Sequence, residues 1–355
     1  MGSIYCKQWI EDLDLVIKNC PELSELKGKT IMITGATGLI CSAIIDILIR
    51  YNQSVDDKIH IIAAGRSEDG MRERFDKYFY DDYFTYMKYD STKENSFNFE
   101  CDYIIHGASN AFPKSISEQP VETMISNIIG IRDILEYVRN SQVSKRSVKR
   151  VIYISSSEVY GNKSDNNPFV EDEYGIVDIL NPRNSYSESK RAAETLCISY
   201  AEEYGLDTVI VRPGHIYGPT ASRGDNRVSS MWAYDVAEGK NIVMKSDGSQ
   251  LRSYTYCLDC ASAILKVLLD GESNNSYNIS NQNSVISIKE MAEILAKVGE
   301  VKLIIATPDE TEKKSYNPMI NSSLNSQKLM SLGWQGVFEA REGFEHTVKI
   351  IRSFS

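Results

Sequence analysis

The sequence of 355 residues predicts an α/β fold, with a doubly wound parallel sheet and a smaller C-terminal lobe. Three observations support this prediction. Short apolar, β-branched segments alternate with longer segments of helical periodicity, as in sheets built from β-α-β units. A turn with two glycines connects the first of these strands to the first of these helices. The chain is also long enough to bury one large core with an additional lobe.

The individual elements follow from their apolar patterns, in chain order. Residues 1–26 are expected to form a short helix packed outside the sheet. The predicted strands are Lys29–Thr34, Ile59–Ala63, Thr85–Tyr89, Tyr103–His106, Arg150–Ile154 and Thr208–Val211. The predicted helices between them are Ser42–Arg50, Met71–Phe79, Val121–Arg139 and Tyr186–Tyr204. The later segments Val228–Gly239 and Val285–Lys349 are expected to contain helices and short strands.

The turn Gly35-Ala-Thr-Gly38 lies between a buried strand and a helical segment, in the order that indicates a dinucleotide site. Gly35 would make the tight turn, and Gly38 would let the backbone approach a pyrophosphate at the positive end of the helix. The alternative is a helix start with incidental glycines, and the order strand, turn, helix argues against it. The turn therefore predicts a Rossmann-type nucleotide-binding unit.

These elements divide the chain into three parts. Residues 1–26 form an N-terminal helical extension. Residues 27–212, together with about 252–280, form the dinucleotide-binding Rossmann-type domain. Residues 213–251 and 281–355 form the smaller lobe, which we expect to bind and cover a substrate.

Tyr186 and Lys190 lie four residues apart, so both side chains are expected on one face of a helix. A lysine ammonium beside a phenol would favour the phenolate and lower its pKa, which suits a tyrosine that exchanges protons near neutrality. Ser156, after a predicted strand, is placed to hold a substrate oxygen against that phenol. The spacing alone is also compatible with an ordinary amphipathic helix.

Composition excludes several other classes of protein. The formal net charge of -10, with no basic stripe, argues against a nucleic-acid partner. No segment approaches the roughly twenty apolar residues of a membrane span, and the N-terminus lacks a signal-peptide apolar region. Seven scattered cysteines suggest free thiols in a reducing cytoplasm, and the pair Cys257 and Cys260 is interpreted as structural. We expect no metal site.

Taken together, the motifs resemble the extended short-chain dehydrogenase/reductase family, also called NAD-dependent epimerase/dehydratases, in its nucleotide-sugar branch. The resemblance runs from about Lys27 to Phe344. It also rests on His106-Gly-Ala-Ser109, Asn127-Ile-Ile-Gly130, Arg212–Pro219 and Gly248–Tyr254, with Asp259 after them. It implies an NAD(P)-dependent enzyme acting on a nucleotide-diphosphate sugar, and a homodimer formed through the helices that begin near Val121 and Tyr186.

The resemblance also implies a role for each matching residue. The catalytic residues would be Ser156, Tyr186 and Lys190, with Ser157 and Glu158 beside them. The cofactor would contact Gly35, Thr37, Gly38, Leu39, Ile40, Arg66, Ala108, Asn127, Ser155, Tyr186, Lys190 and Pro213. The substrate would contact Ser109, His215, Arg227 and Arg252, since basic groups suit a diphosphate. Either arginine can instead be an ordinary surface ion pair.

The residues leave the reaction open. Ser157-Glu158 resembles the pair found in UDP-glucuronate decarboxylases and in some GDP-mannose dehydratases, whereas the 4,6-dehydratases that resemble this chain usually carry Asp-Glu. His215 stands where many members have asparagine. Arg66 ends the second strand where NAD-binding members have an acid, and an arginine there can hold a 2'-phosphate. Arg66 can instead stack on the adenine or point to solvent. On this ground NADP(H) is slightly favoured over NAD(H).

With NADPH, the favoured reaction is reduction of a nucleotide-linked keto-sugar, such as a CDP-linked one, to an alditol or sugar for capsule or other cell-surface polysaccharide. The alternative is a decarboxylase, 4,6-dehydratase or epimerase that returns the hydride to its own intermediate. A non-catalytic dinucleotide-binding regulator is a further alternative, and retention of Tyr186 and Lys190 argues against it.

One position departs from the family pattern. Cys41 occupies the place of the third glycine, which normally allows the first helix to pack closely on the sheet. Cysteine is small and often buried. We therefore expect the fold to tolerate it, with the helix slightly displaced.

Overall fold

A computed structural model describes residues 4–95, 97–142, 147–306 and 320–354. Its strands are β1 Thr30–Thr34, β2 His60–Gly65, β3 Phe84–Lys88, β4 Tyr103–His106, β5 Arg150–Ile154, β6 Thr208–Pro213, β7 His215–Tyr217, β8 Ile242–Met244, β9 Leu251–Tyr256, β10 Ser276–Ile279, β11 Val285–Ser287 and β12 Leu303–Ile305. Its α-helices are α1 Lys7–Lys18, α2 Leu39–Asn52, α3 Glu68–Phe75, α4 Pro113–Glu118, α5 Pro120–Ser141, α6 Ser185–Tyr204, α7 Val228–Ala237, α8 Cys257–Asp270, α9 Ile288–Gly299, α10 Gln327–Ser331 and α11 Ala340–Phe354.

Seven parallel strands form the central sheet, in the order β10-β6-β5-β4-β1-β2-β3. The order reverses beside β1, and doubly wound sheets bind ligands in the crevice at such a point. The predicted fold class, a Rossmann-type α/β sheet, is confirmed. The six predicted strands all occur, with ends that differ from the predicted ones by at most two residues.

The sheet is covered on both faces, which explains why its strands are almost continuously apolar. Residues of β1 alternate between the two cores. Ile31 and Ile33 belong to the core that contains α2 and α8, whereas Met32 belongs to the core that contains α5 and α6. Helix α1 lies outside α2, where the indole of Trp9 donates to Asp46 at 3.1 Å. The predicted N-terminal helix is therefore present, over Lys7–Lys18.

The smaller lobe contains the three-stranded sheet β11-β9-β7, the pair β12-β8 and helices α7, α9 and α11. Phe344 of α11 stacks on Tyr217 of β7, with ring centroids 3.8 Å apart. Helix α9 begins with a capping box, in which Ser287 and Glu290 bind each other's backbone amides. The domain boundaries given above stay a prediction, although β10 does lie in the central sheet.

The helix predicted over Met71–Phe79 is displaced toward the N-terminus. It begins at Glu68 because the Ser67 hydroxyl accepts the amide of Gly70 at 3.1 Å, and it ends at Phe75. Apolar spacing alone missed this cap.

The seven cysteines all lie among the described residues, and none forms a disulfide there. Cys257 and Cys260 are fully buried in α8. In the same part of the chain, no helix combines the length and apolar character needed to cross a membrane. Nor do the described His, Cys, Asp and Glu side chains come together in a group of three able to hold a metal ion.

Candidate functional site

The glycine turn after β1 lies at the carboxyl end of the sheet and can be built only with glycine at position 35. Gly35 has φ of +69°, and a Cβ there would lie 2.9 Å from the backbone of Gly107 and Ala108. Gly38 is the N-cap of α2 and no side chain caps the helix. Thr37 and Gly38 are exposed. The first amides of α2, including those of Leu39 and Ile40, are therefore not capped by a side chain, as binding of an anion at this helix end requires.

Gly107, in the loop after β4, provides the space that the Cys41 side chain occupies. Its side chain is buried, and a Cβ on Gly107 would lie 2.3 Å from the Cys41 sulfur. Gly107 therefore supplies the space that a glycine at position 41 would otherwise supply. Burial raises the pKa of the Cys41 thiol to about 12, so the group is an inert packing element. The expected displacement of α2 stays a prediction.

Thr34 organises the loop that follows β4, a role that the motif analysis did not identify. Its hydroxyl accepts the amides of Gly107 at 3.1 Å and Ala108 at 3.2 Å, and it lies 2.9 Å from Nδ1 of His106. Burial, with the charge of Lys190, lowers the pKa of His106 to about 3. The imidazole is therefore neutral, and the Thr34 hydroxyl donates to its Nδ1. Thr34 and His106 are neighbours in the register of β1 and β4, and this pairing is known only once the sheet is formed.

A chain of hydrogen bonds connects this loop to the helix that carries Tyr186. The Ser109 hydroxyl donates to Asn127 at 2.7 Å, Asn127 donates to Ser189 at 2.9 Å, and Ser189 donates to the Tyr186 carbonyl at 3.0 Å. Asn127 and Ser189 are buried. Asn127, which the sequence placed at the cofactor, thus also joins α5 to α6.

Tyr186 and Lys190 occupy the first turns of α6, and both are buried. The Ser156 hydroxyl, just beyond β5, accepts the Glu158 amide at 3.2 Å and lies close enough to the Tyr186 phenol to act on its pKa. The Lys190 ammonium donates to the Ile154 carbonyl at 2.7 Å and lies 5.8 Å from the centre of the Tyr186 ring. The structure therefore brings the three predicted catalytic residues together.

The expected lowering of the Tyr186 pKa by Lys190 is wrong for this state of the protein. Burial and the charge of Glu158 raise the pKa of Tyr186 to about 12, against the opposing effects of Ser156, Arg227 and Arg183. The ammonium of Lys190 is directed to a carbonyl and to the face of Tyr153, 4.7 Å from that ring's centre. Burial lowers the pKa of Lys190 itself to about 7.

Glu158 lies at the mouth of the site. Its carboxylate accepts the Ser187 hydroxyl at 3.3 Å and lies 3.5 Å from the Arg183 guanidinium. Its side chain remains 40% exposed. It is therefore close enough to influence the Tyr186 phenol and open enough to meet a ligand. Ser157 begins the same short 3-10 helix as Glu158.

The guanidinium groups of Arg227 and Arg252 form a cationic wall beside the imidazole of His215. The charges of Arg252 and Arg227 act on His215, and Arg227 also acts on Tyr186. Burial and these charges lower the pKa of His215 to about 3. Burial likewise lowers the pKa of the guanidinium of Arg252, which is 4% exposed. Arg227 is paired with the buried Asp225.

The remaining predicted cofactor residues occupy different environments. Ser155 and Pro213 are buried at the ends of β5 and β6, and the Ser155 hydroxyl has no hydrogen-bond partner among the described residues. Arg66 is exposed after β2. Partial burial of Asp90 is outweighed by Thr92, Lys93 and Arg66, which hold the pKa of that carboxyl below its usual range. Arg66 therefore lies within electrostatic reach of an acid that the sequence analysis missed.

The chain is similar to known proteins along most of its length. Residues 31–280 match the NAD dependent epimerase/dehydratase family. Over 316 residues the chain is 29% identical to UDP-glucuronic acid decarboxylase 6 of Arabidopsis thaliana, covering 88% of this chain and 86% of that protein. It is 26% identical to UDP-glucuronic acid decarboxylase 1 of Xenopus tropicalis, covering 93% and 74%.

The fold is also that of a solved structure, UDP-glucuronic acid 4-epimerase from Bacillus cereus in complex with UDP-glucuronic acid and NAD. The TM-score is 0.73 at 20% identity, and the match covers 91% of this chain and 99% of that one.

Proposed function

The chain belongs to the NAD dependent epimerase/dehydratase family, and on that premise we propose that it is an NAD-dependent decarboxylase of a nucleotide-activated uronic acid. The observation that carries the proposal is the cleft itself. It sets the acid/base residue Tyr186, with Ser156 beside it, within electrostatic reach of the cationic wall of Arg227 and Arg252. Such a wall suits a substrate with a diphosphate and a carboxylate. The resemblance to UDP-glucuronic acid decarboxylases supports this choice.

The residues present fit a dinucleotide. The α2 amides and the close approach permitted by Gly35 and Gly38 would hold a pyrophosphate. Lys190 would reach the nicotinamide ribose, and Asn127 and Ala108 would border the site. When bound, NAD supplies a hydride acceptor for the substrate carbon and a donor for the return step.

The chain's own residues would manage the protons. Tyr186, as the phenolate that the positive charge of bound NAD would favour, would take the proton from the hydroxyl on the ring carbon next to the carboxylate-bearing carbon, while Ser156 holds that oxygen. The resulting ketone is β to the carboxylate, so carbon dioxide leaves and its bonding electrons form an enolate. Protonation of the enolate at carbon and return of the hydride complete the reaction, and Tyr186 gives its proton back to the oxygen. Glu158 lies where it can orient the sugar or exchange a proton with it.

The surroundings of Arg66 favour NAD over NADP in this proposal. Asp90 lies within electrostatic reach of it, and Glu68 and Asp69 follow in the first turn of α3. The Asp90 carboxylate would repel a 2'-phosphate bound at Arg66, whereas the Glu68 carboxylate is paired with Arg72. This argument reverses the slight preference for NADP(H) drawn from the sequence.

The second candidate is an NADPH-dependent reductase of a nucleotide-linked keto-sugar, including a CDP-linked one for a capsule pathway. One observation favours it. Arg66 is exposed directly after β2, and no acid occupies that position to bind a ribose 2'-hydroxyl. In that reaction Tyr186 would protonate the ketone oxygen as hydride arrives.

One experiment separates the two candidates. The purified protein is incubated with UDP-glucuronic acid and a substoichiometric amount of NAD, and products are followed by NMR and mass spectrometry. The decarboxylase proposal predicts carbon dioxide and a UDP-pentose over many turnovers, and no product with Tyr186→Phe. Consumption of NADPH with a keto-sugar nucleotide, and none of UDP-glucuronic acid, would instead establish the reductase.

We further propose a homodimer formed through α5 and α6. These helices pack side by side and expose apolar side chains to solvent, at Val121, Met124, Ile125 and Ile198. A second copy would cover them in a four-helix arrangement. Ile125→Glu should shift the mass measured by light scattering from dimer to monomer, and an unchanged mass would exclude this surface. The free thiols support the expected cytoplasmic location.

A further inference from the structure

We propose that Arg191 is a positioning residue, which fixes the Ser156 hydroxyl and the Glu158 carboxylate against Tyr186. The inference rests on the function proposed above and adds a residue to that site. Arg191 follows Lys190 on α6, and its side chain points away from the cleft toward the loop behind Ser156. It touches neither the predicted cofactor residues nor the cationic wall in any hydrogen bond of the described residues.

The guanidinium of Arg191 binds three backbone carbonyls at once. Nε donates to Val159 at 2.7 Å, and Nη2 donates to Gly175 at 2.9 Å and to Tyr160 at 3.3 Å. Nη1 lies 3.4 Å from the Glu188 carboxylate, one turn earlier on α6. A planar fork with five N–H groups can serve several acceptors in fixed directions, whereas a lysine ammonium cannot match this geometry.

The carbonyls of Val159 and Tyr160 belong to a short segment that has no amides of its own to donate to them. Residues Ser157–Tyr160 form one 3-10 turn that ends at Gly161, whose φ is +67°. The last carbonyls of a short helix have no amide partners within the helix. Arg191 donates to the Val159 carbonyl in place of the missing amide, and Gly175 donates its amide to the Tyr160 carbonyl at 2.8 Å. The turn is thereby attached to α6 and to the 175 loop.

The same turn carries both groups that act on the Tyr186 phenol from this side. Ser156 is its N-cap, and Glu158 is its second residue. The Ser156 hydroxyl lowers the pKa of Tyr186, and the charge of Glu158 raises it. A shift of the turn relative to α6 would therefore change two interactions at the reacting oxygen. The hydrogen-bond partners of Arg191 among the described residues include none from the glycine turn after β1 or the loop after β4, so we expect NAD binding to change less than turnover.

The surroundings of Arg191 make a direct test possible. Its side chain is 30% exposed and lines a groove of about 840 Å³ on the outer side of α6, together with Thr195 and Glu202. A small cation from solution can enter such a space. Removal of the side chain in Arg191→Ala should leave room in which methylguanidinium can bind the same carbonyls.

The experiment compares Arg191→Ala and Arg191→Lys with the full-length wild-type enzyme. We expect kcat to fall about a hundredfold in Arg191→Ala, because displacements of about 1 Å at a reacting group have effects of that size. KM and the dissociation constant for NAD should change less than about threefold. Millimolar methylguanidinium should raise the kcat of Arg191→Ala by at least about tenfold. Sodium chloride at the same ionic strength should not raise it. Arg191→Lys should remain impaired despite its charge.

Arg50→Ala is the matched control, because Arg50 is also 30% exposed but pairs with Asp14 at the far end of α2. Its kcat should equal the wild-type value with or without methylguanidinium. Loss of kcat in Arg191→Ala without specific recovery would contradict the proposal, as would a defect confined to KM or to NAD binding.

A second readout keeps the test independent of turnover. Hydrogen exchange of the peptide that contains Ser157–Gly161 should be faster in Arg191→Ala, and methylguanidinium should slow it again. Unchanged exchange would overturn the positioning role. If the wild-type protein turns over no sugar nucleotide, the proposed function fails, and the exchange measurement still decides whether Arg191 holds the turn.

Discussion

The two walls of the cleft are built by different means. One wall is formed by β1, α2 and the loop after β4. Its backbone packs so closely that Gly35, Gly38 and Gly107 have little or no room for a side chain. The wall formed by Tyr186, Glu158, Arg227 and His215 is defined by charged and polar side chains from distant parts of the chain. The first wall tolerates almost no added volume, whereas the second depends on charge. Substitutions should therefore separate binding of the cofactor from chemistry on the substrate.

The largest effect should come from Tyr186→Phe. Removing one hydroxyl leaves the buried ring in place, so the affinity for NAD should change little. The chain would lose its acid/base group, and kcat should fall by about a thousandfold, within the range for general acid-base catalysis. Steady-state kinetics and NAD titration of the same sample measure the two effects. Retention of kcat within tenfold would assign the proton transfer to another residue, with Glu158 the next to test.

How far the sequence predicts each wall follows from the same contrast. The glycine turn was readable because strand, Gly35, Gly38 and helix are contiguous. The sequence does not show that Gly107 makes room for Cys41, because these residues belong to two segments that meet only in the folded protein. The raised pKa of Tyr186 was also missed, because a spacing of four residues places Lys190 on the same face without saying where its ammonium points.

The packing of the first wall can be tested by a double substitution. Gly107→Ala would place a Cβ 2.3 Å from the Cys41 sulfur and 3.1 Å from Ile154, and should destabilise the protein by about 2–3 kcal/mol. Adding Cys41→Gly removes the closer contact and should recover more than half of that loss. A glycine inside a helix costs about 1 kcal/mol in its own right, and the Cys41→Gly single variant measures that cost. Urea unfolding of the wild-type, single and double variants measures the coupling. Additive effects would show that the two residues do not compete for one space.

Lys190 lies between the walls, and its burial should make stability depend on pH. Its pKa is about 7 in the folded protein, below its ordinary value of 10.5. Between those values the unfolded chain binds the proton and the folded protein does not, so this group makes stability rise as pH increases through that window. Wild-type unfolding free energy should gain on the order of 1–2 kcal/mol from about pH 7 to about pH 9, relative to Lys190→Met. Calorimetry or urea unfolding at both values tests this, and parallel profiles would mean that Lys190 keeps its ordinary pKa.

The smallest effect should come from substitutions at Arg66 and Asp90, at the edge of the first wall, because these residues would act on a cofactor through their charge and not through close packing. Arg66 is exposed, so Arg66→Ala should change NAD affinity by less than about threefold, in line with the small energies of exposed ionic contacts. Asp90→Asn removes the carboxylate that would repel a 2'-phosphate, and should improve NADPH affinity severalfold while leaving NAD affinity nearly unchanged. Fluorescence titration with both cofactors gives the two ratios. If Arg66→Ala instead abolishes NADPH binding that the wild-type protein has, Arg66 holds a 2'-phosphate, and the reductase becomes the better account of this cleft.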